Sequence, residues 1–266
     1  MKPLRLVATD LDGTLLRSDG TVSARTAQAL RRAVAAGLEL VMATGRPPRH
    51  VRAIAGAPDL GAVTICMNGA LVYDVARDAV ISETRLPPET ARALIADLRA
   101  RLPEISFAVE VGLHCGWEQS YALQRGKLEE PSLPIADGHA LCAGGVNKLI
   151  AFHPALSSGA LIHRSRAVIA ERAAVSFSGA PFLEIGPYAV SKASSLAAYC
   201  AERGVARAEV LAFGDMPNDV PMLAWAGHSV AVSNAHRDVQ SIAGELTLSN
   251  DEDGVAVVLE RLLDQR

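Results

Sequence analysis

Predominantly apolar runs of strand length, separated by segments of helix length, limit what this chain can fold into more than any other feature. Leu4 to Thr9, Leu38 to Ala43 and Ala62 to Cys66 are such runs. Between them, Ser23 to Ala36 reads as a helix opened by a Ser cap, and Pro47 to Ile54 as a helix with Pro near its first turn. A strand that is apolar throughout is buried on both faces, and helix-long connections between such strands imply parallel pairing. The expected core is an α/β parallel sheet with helices on both faces. The alternation resumes from Lys192: helix Ser194 to Arg203, strand Val210 to Phe213, a helix around Val220 to Trp225, strand Ser229 to Val232 and a final helix from Gly254 to Leu263.

Between these halves the pattern changes. Ile81 to Thr84 is strand-like, Glu89 to Arg101 helical and Ile105 to Val111 a strand, followed by a poorly periodic stretch to about Gly145. Strand Val146 to His153, helix Gly159 to Glu171, and strands Ala174 to Phe177 and Phe182 to Ile185 come next. This mixture predicts an inserted α+β domain over 84–187, splitting a core formed by 1–83 and 188–266. Pro and Gly cluster at Glu83 to Pro88 and Gly186 to Ala189, the expected hinges.

The first strand ends in Asp10-Leu11-Asp12-Gly13-Thr14, which delivers two carboxylates two positions apart into a Gly-containing turn. That layout suits phosphoryl transfer, with Asp10 as nucleophile and Asp12 as general acid and then base. A carboxylate and a phosphate dianion repel one another, so such a site also needs a cation and donors for the phosphoryl oxygens. Ligands of an open parallel sheet bind beyond the carboxyl ends of its strands. Asp10, Thr44 and Asp215 each follow an apolar strand and are expected on one edge. Thr44 reads either as a helix cap or as a phosphate-binding hydroxyl beside exposed amides, two compatible roles. Arg46 reads either as a substrate contact or as a surface residue.

Only Lys2, Lys127, Lys148 and Lys192 are lysines among 26 basic residues. Lys192 stands at a helix start, where the helix dipole favours anions, so an anionic neighbour such as Asp10 with a phosphate is expected. An octahedral Mg²⁺ takes few carboxylates and several waters. Asp10, the main-chain oxygen of Asp12 and Asp215 are the candidate ligands, with Asn218 and Asp219 behind them holding waters or Lys192.

Composition bounds the rest. A chain of 266 residues with 50% hydrophobic and 21% charged content has enough apolar surface for a large core. A net charge of -3 and no basic cluster interleaved with aromatics disfavour a nucleic-acid partner. Met1-Lys2-Pro3 runs directly into a strand without a signal-peptide pattern, and no apolar run is long enough to span a bilayer. The expectation is a cytoplasmic protein without a membrane partner, its four scattered cysteines free thiols. The spacing of His114-Cys115 and His139 to Cys142 fits no common zinc pattern.

The ordered motifs resemble the haloacid dehalogenase superfamily, in its Cof-type, sugar-phosphatase-like branch with a large α+β cap. They are DLDGT at Asp10 to Thr14, ATGRP at Ala43 to Pro47, Asn68-Gly69-Ala70, Ser191-Lys192, GDMPND at Gly214 to Asp219, and Ser249 to Ala256 near the end. Two local departures are Ala193 after Lys192, and Val232-Ser233-Asn234-Ala235 in place of a Gly-Asn-Ala run. The resemblance implies a Rossmann-like core, Mg²⁺ dependence, an aspartyl-phosphate route and small phosphorylated metabolites as substrates, with the cap setting specificity. It implies catalytic roles for Asp10, Asp12, Thr44 and Lys192, and substrate contacts from Gly45, Arg46, Asn68 and Asn218. A phosphomutase on the same scaffold and a non-catalytic phospho-ligand-binding regulator stay open at this point, as does the choice between monomer and homodimer.

Overall fold

The computed structural model describes residues 3–55, 63–126 and 131–265. Met1, Lys2, Ala62, Lys127 and Arg266 lie outside the described residues. The chain divides into two compact units, Met1–Ile81 with Ser191–Arg266, and Ser82–Val190. Among the described residues no helix is long and apolar enough to cross a membrane.

The first unit opens with β1 (Leu6–Thr9), α1 (Ala24–Ala35), β2 (Glu39–Ala43), α2 (Pro48–Ala55), β3 (Val63–Cys66) and β4 (Leu71–Asp74), and β5 (Ala79–Glu83) leads out of it. Ser23 caps α1 by accepting from the Thr26 amide, as its sequence predicts. The second unit contains α3 (Pro88–Arg101), β6 (Ser106–Val111), β7 (His114–Trp117), α4 (Gln119–Arg125), α5 (Gly138–Leu141), β8 (Lys148–Phe152), α6 (Ser158–Ile169), β9 (Ala173–Ser176) and β10 (Leu183–Pro187). The first unit then resumes with α7 (Lys192–Glu202), β11 (Val210–Gly214), α8 (Val220–Trp225), β12 (His228–Val232), α9 (Arg237–Ile242), β13 (Glu245–Thr247) and α10 (Gly254–Asp264).

Eight strands form the larger sheet, in the order β13-β12-β11-β1-β2-β3-β4-β5. From β13 to β3 every pairing is parallel, and β4 turns back antiparallel on β3. The central strands are largely buried, as predominantly apolar runs require: Leu6, Ala8, Val41, Ala43, Ile65, Val210 and Ala212 pack in one core with α7 and α8. Strand β4 went unread in the sequence, because Met67, Asn68 and Gly69 form a tight three-residue turn that returns the chain at once. Their φ angles of 51°, 57° and 108° lie in the left-handed region. Gly69 is required there, since a Cβ would sit 2.3 Å from the Ser191 carbonyl oxygen. The short α9 and β13 also went unread, being six and three residues of mixed polarity.

In the second unit an antiparallel five-stranded sheet runs β7-β6-β8-β10-β9. Phe107, Val109, Leu149, Ala151, Leu183 and Ile185 bury one face of it in the core shared with α3 and α6. The poorly periodic stretch holds β7, α4 and α5, whose shortness hides their periodicity. Trp117 and Tyr121 pack with Ala108, Cys115 and Ile150, which is the hydrophobic role their residue types suggest. All four cysteines are buried thiols outside any disulfide.

Candidate active site

The strand order places β11, β1 and β2 side by side, so their carboxyl ends deliver Asp215, Asp10 and Thr44 to the same edge of the sheet. The Asp10 amide donates to the Phe213 carbonyl (3.1 Å), which holds the ends of β1 and β11 in register. Lys192 is the first residue of α7, behind a Ser191 cap that accepts from the Ser194 amide. Asp219 closes a 3₁₀ turn, Pro217–Asp219, that leads into α8.

These elements converge on one buried ammonium. Lys192 Nζ donates to Asp10 Oδ1 at 2.5 Å and to Asp219 Oδ1 at 2.7 Å. The Lys192 residue is only 1% exposed, and Asp10 and Asp219 are buried with it. The other Asp219 oxygen accepts from the amides of Asp215 (3.1 Å) and Met216 (3.0 Å), so this carboxylate organises the turn that carries Asp215. Asp215 Oδ1 accepts from Thr14 Oγ1 at 2.8 Å, and its Oδ2 lies against Gly13. A Cβ on residue 13 would be 2.4 Å from that oxygen, and φ there is +80°, so Gly13 is needed for both reasons.

Three buried carboxylates lie together, two of them held by Lys192, and the electrostatics follow. Burial pushes Asp10 well above the usual carboxylate range, with Asp219 and Asp215 adding to it and Lys192 pulling the other way. Burial and the neighbouring Asp219 raise Asp215 to about 6. Burial alone disfavours a charged Lys192, but Asp10 and Asp219 outweigh it and hold the ammonium above its ordinary range.

A pH dependence of stability results. Asp215 is raised from 3.8 to about 6, so below pH 3.8 both folded and unfolded states hold its proton and it carries no penalty. The penalty grows as pH rises from 3.8 to about 6 and is complete above that, at an order of ~3 kcal/mol. Asp215→Asn keeps an oxygen for Thr14 and removes the charge. In EDTA, the variant is expected to melt ~5–10 °C above the parent at pH 7.5 and to converge with it near pH 4. Thermal melts across that range check it, and parallel pH curves for the two proteins would refute the assignment.

Asp12 lies outside this buried group. Its side chain is half-exposed and gripped by the Arg46 fork, Nε to Oδ2 at 2.7 Å and Nη2 to Oδ1 at 2.5 Å. That bidentate pairing, first among its causes, raises Arg46 above the ordinary guanidinium value. Arg46 thus reaches the carboxylate two residues beyond Asp10, which neither sequence reading of it anticipated. Thr44 is fully buried, and its hydroxyl accepts from the Arg46 amide at 3.1 Å. It therefore closes a local turn around Gly45, while α2 begins four residues later at Pro48, so the helix-cap reading of Thr44 does not hold. Asn218 Nδ2 donates to Asn68 Oδ1 at 3.0 Å, joining the GDMPND turn to the β3–β4 turn. Asn218 Oδ1 is buried with no hydrogen-bond partner among the described residues.

Asp10, Asp215 and Asp219 each offer an oxygen within 4.8 Å of the others, a group able to hold a divalent cation. The donor set fits a hard ion. Asp219 has both oxygens engaged within the protein; Asp10 holds Lys192, Asp215 holds Thr14, and Asp10 and Asp215 stand within hydrogen-bonding reach of each other, as two ligands of one cation would. One ammonium against three carboxylates also leaves the site short of positive charge. The zinc-like residues are placed differently: His114 is exposed at the start of β7, and Cys142 is buried in the apolar core of the second unit, where burial pushes its thiol up to about 12.

The sequence profile of the haloacid dehalogenase-like hydrolases matches residues 7–259. A 5-amino-6-(5-phospho-D-ribitylamino)uracil phosphatase of Bacillus subtilis (strain 168) is 29% identical over 98% of this chain and 98% of its own length. The HMP-PP phosphatase of Serratia proteamaculans (strain 568) is 30% identical over 91% of this chain and 88% of its own. Among solved structures, a haloacid dehalogenase-like hydrolase from Bacteroides thetaiotaomicron matches with a TM-score of 0.79 at 29% identity, over 97% of this chain and 99% of that one. The chain belongs to the haloacid dehalogenase-like hydrolase family. Within it, this is an enzyme of the phosphoric monoester hydrolase class.

Proposed function

We propose that this enzyme is a Mg²⁺-dependent phosphatase that hydrolyses a small phosphomonoester, a sugar phosphate or cofactor phosphate, through an aspartyl phosphate on Asp10. The observation that carries the reading is the buried Lys192 ammonium held between Asp10 and Asp219, with Asp215 beside them and Asp12 two residues on. A structural ion pair needs one carboxylate. Three around one lysine, at the strand edge where ligands bind, suit a site that receives further positive charge and an anion.

Asp10 attacks phosphorus as the bond from phosphorus to the leaving oxygen breaks, and Asp12, protonated once Arg46 turns from it to the substrate, gives its proton to that oxygen. Asp12 then takes a proton from water, whose oxygen attacks the same phosphorus. The bond to Asp10 breaks, releasing inorganic phosphate and restoring the carboxylate. Lys192 and Thr44 hold the phosphoryl oxygens, with Gly45, Arg46, Asn68 and Asn218 contacting substrate around them. Asp10, Asp215 and the main-chain oxygen of Asp12 would hold Mg²⁺, and Asn218 and Asp219 would support that shell. Bound Mg²⁺ supplies the charge that lets a carboxylate approach a phosphate dianion. Residues 1–83 and 188–266 form the catalytic core in this reading, and 84–187 the cap that selects the leaving group.

Phosphate release from a panel of sugar, nucleotide and cofactor monophosphates, with and without Mg²⁺, tests the proposal. The panel includes the phosphorylated ribitylaminouracil named for the Bacillus relative. Mg²⁺-dependent release from at least one member is expected. Isomerised product without free phosphate would turn the assignment to a phosphomutase, and binding without turnover to a regulator.

A further inference from the structure

The turn that bears Asp12, Gly13 and Thr14 is tied down from outside by two asparagines that the reaction scheme does not use. Asn234, in the turn after β12, donates from Nδ2 to the Gly13 carbonyl at 2.8 Å. Its Oδ1 accepts from the Asn250 amide at 3.0 Å. Asn250, just after β13, donates from its own Nδ2 to the Leu16 carbonyl at 2.8 Å. Two carbonyls three residues apart are thereby held by one continuous line of hydrogen bonds.

The neighbouring segment reinforces the same seam. The Ser18 amide and hydroxyl both donate to Asp251, at 2.8 and 2.6 Å, and Arg17 pairs with Asp253 at 2.9 Å. Asp251 and Asp253 thus face the 16–18 loop, while Glu252 between them closes on Ser249, and the Asp253 side chain makes no capping bond to α10. At the other end, Gln240 Nε2 donates to the carbonyls of Ser233 and Ala235, each at 2.9 Å, and so fixes the turn that presents Asn234.

Held between these anchors is a turn with two chemical duties. Its Thr14 hydroxyl binds Asp215, and its Asp12 projects toward Arg46. Rotation of the Gly13 peptide would move both, because Gly13 and Thr14 are adjacent and Gly13 packs directly on Asp215. Asn234 itself is exposed, so the hydrophobic core gives no account of it.

We infer that Asn234 and Asn250 are positioning residues: their relay sets the Asp12–Thr14 turn and, through Thr14, the orientation of Asp215 as a cation ligand. The inference rests on the phosphatase reading for its effect on rate, and on the acidic site alone for its effect on metal affinity. An asparagine is needed at 234 because the relay uses it as donor and acceptor together. Aspartate keeps the acceptor for the Asn250 amide but faces the Gly13 carbonyl with a second oxygen.

The test compares Asn234→Ala and Asn234→Asp with the parent, using Mn²⁺ as the probe ion, its binding followed by electron paramagnetic resonance. Both variants are expected to bind Mn²⁺ about tenfold more weakly and to lose about tenfold in kcat at saturating Mg²⁺, the range for residues supporting a metal ligand. The melting temperature should barely move, since residue 234 is on the surface. A double-mutant cycle with Thr14→Val should be non-additive, because that substitution cuts the path to Asp215. Unchanged Mn²⁺ affinity and kcat in both variants would overturn the inference, as would additive losses in the cycle. If the parent releases no phosphate from any substrate, the phosphatase reading fails, while Mn²⁺ affinity still decides whether the relay orders the site.

Discussion

Asp10→Asn is expected to abolish turnover and leave the fold intact. The substitution preserves the size of the side chain and its oxygen for Lys192, so the packing at the end of β1 is kept. It removes one of three buried carboxylates, which relieves the repulsion that Asp10 feels from Asp219 and Asp215. The metal-free variant should therefore melt at or above the parent's temperature at neutral pH. The rate should fall by about 10⁴-fold or more, the order found when a nucleophile working as part of a unit is removed. Such a loss corresponds to ~5 kcal/mol of transition-state stabilisation. Acid quenching during turnover should trap phosphate on Asp10 of the parent and none on the variant. Turnover retained in a preparation free of parent enzyme would remove Asp10 from the role of nucleophile.

Much of the fold was legible because its evidence is local. An apolar run such as Leu38 to Ala43 announces a doubly buried strand without reference to anything distant, and the Ser at position 23 announces a helix start. The edge on which Asp10, Thr44 and Asp215 gather follows from those strands, since parallel strands share their carboxyl ends. Lys192 was conspicuous as one of few lysines at a helix start that does not favour cations. By contrast, β4 went unread although Asn68-Gly69 is a pair that readily takes a left-handed turn; Met67, which has no such preference, shares that turn and masks it. Elements as short as α5 and β13 complete too little of a period to be read.

What remained unread in the site depends on side-chain reach across large sequence separations. Thr14 and Asp215 are 201 residues apart, and Asn234 and Gly13 are 221 apart, so spacing carries no trace of their bonds. Arg46 could be placed near the sheet edge from its position after β2, but its grip on Asp12 is a matter of rotamer. Nor did the run Asn250 to Asp253 show its use: Glu252 does cap Ser249, but only the tertiary structure turns Asp251 toward Ser18 and Asp253 toward Arg17.

Replacing Lys192 with Met should damage stability and catalysis together, and the two losses should respond differently to rescue. A solvated lysine at a helix start would alter stability by less than about 0.5 kcal/mol when replaced. Here the side chain is buried with two carboxylates, and removing one partner of a buried ion pair costs ~3–5 kcal/mol because the remaining charge is left uncompensated. For a chain of this size that is a fall of ~6–20 °C in melting temperature. Lowering the pH toward 5, or adding Mg²⁺, should recover part of that fall, by neutralising the carboxylates or by supplying positive charge. Neither should restore turnover, which is expected to drop ~10²–10³-fold through loss of a donor to the phosphoryl oxygens. Lys192→Arg should not substitute, because a planar guanidinium cannot place the compact point charge that Lys192 sets between Asp10 and Asp219. Melting curves at pH 5 and 7.5, with and without Mg²⁺, alongside phosphate release, separate the two effects. A Lys192→Met protein as stable as the parent in EDTA at pH 7.5 would show that the lysine does not hold these carboxylates together, and the charge argument for the whole site would go with it.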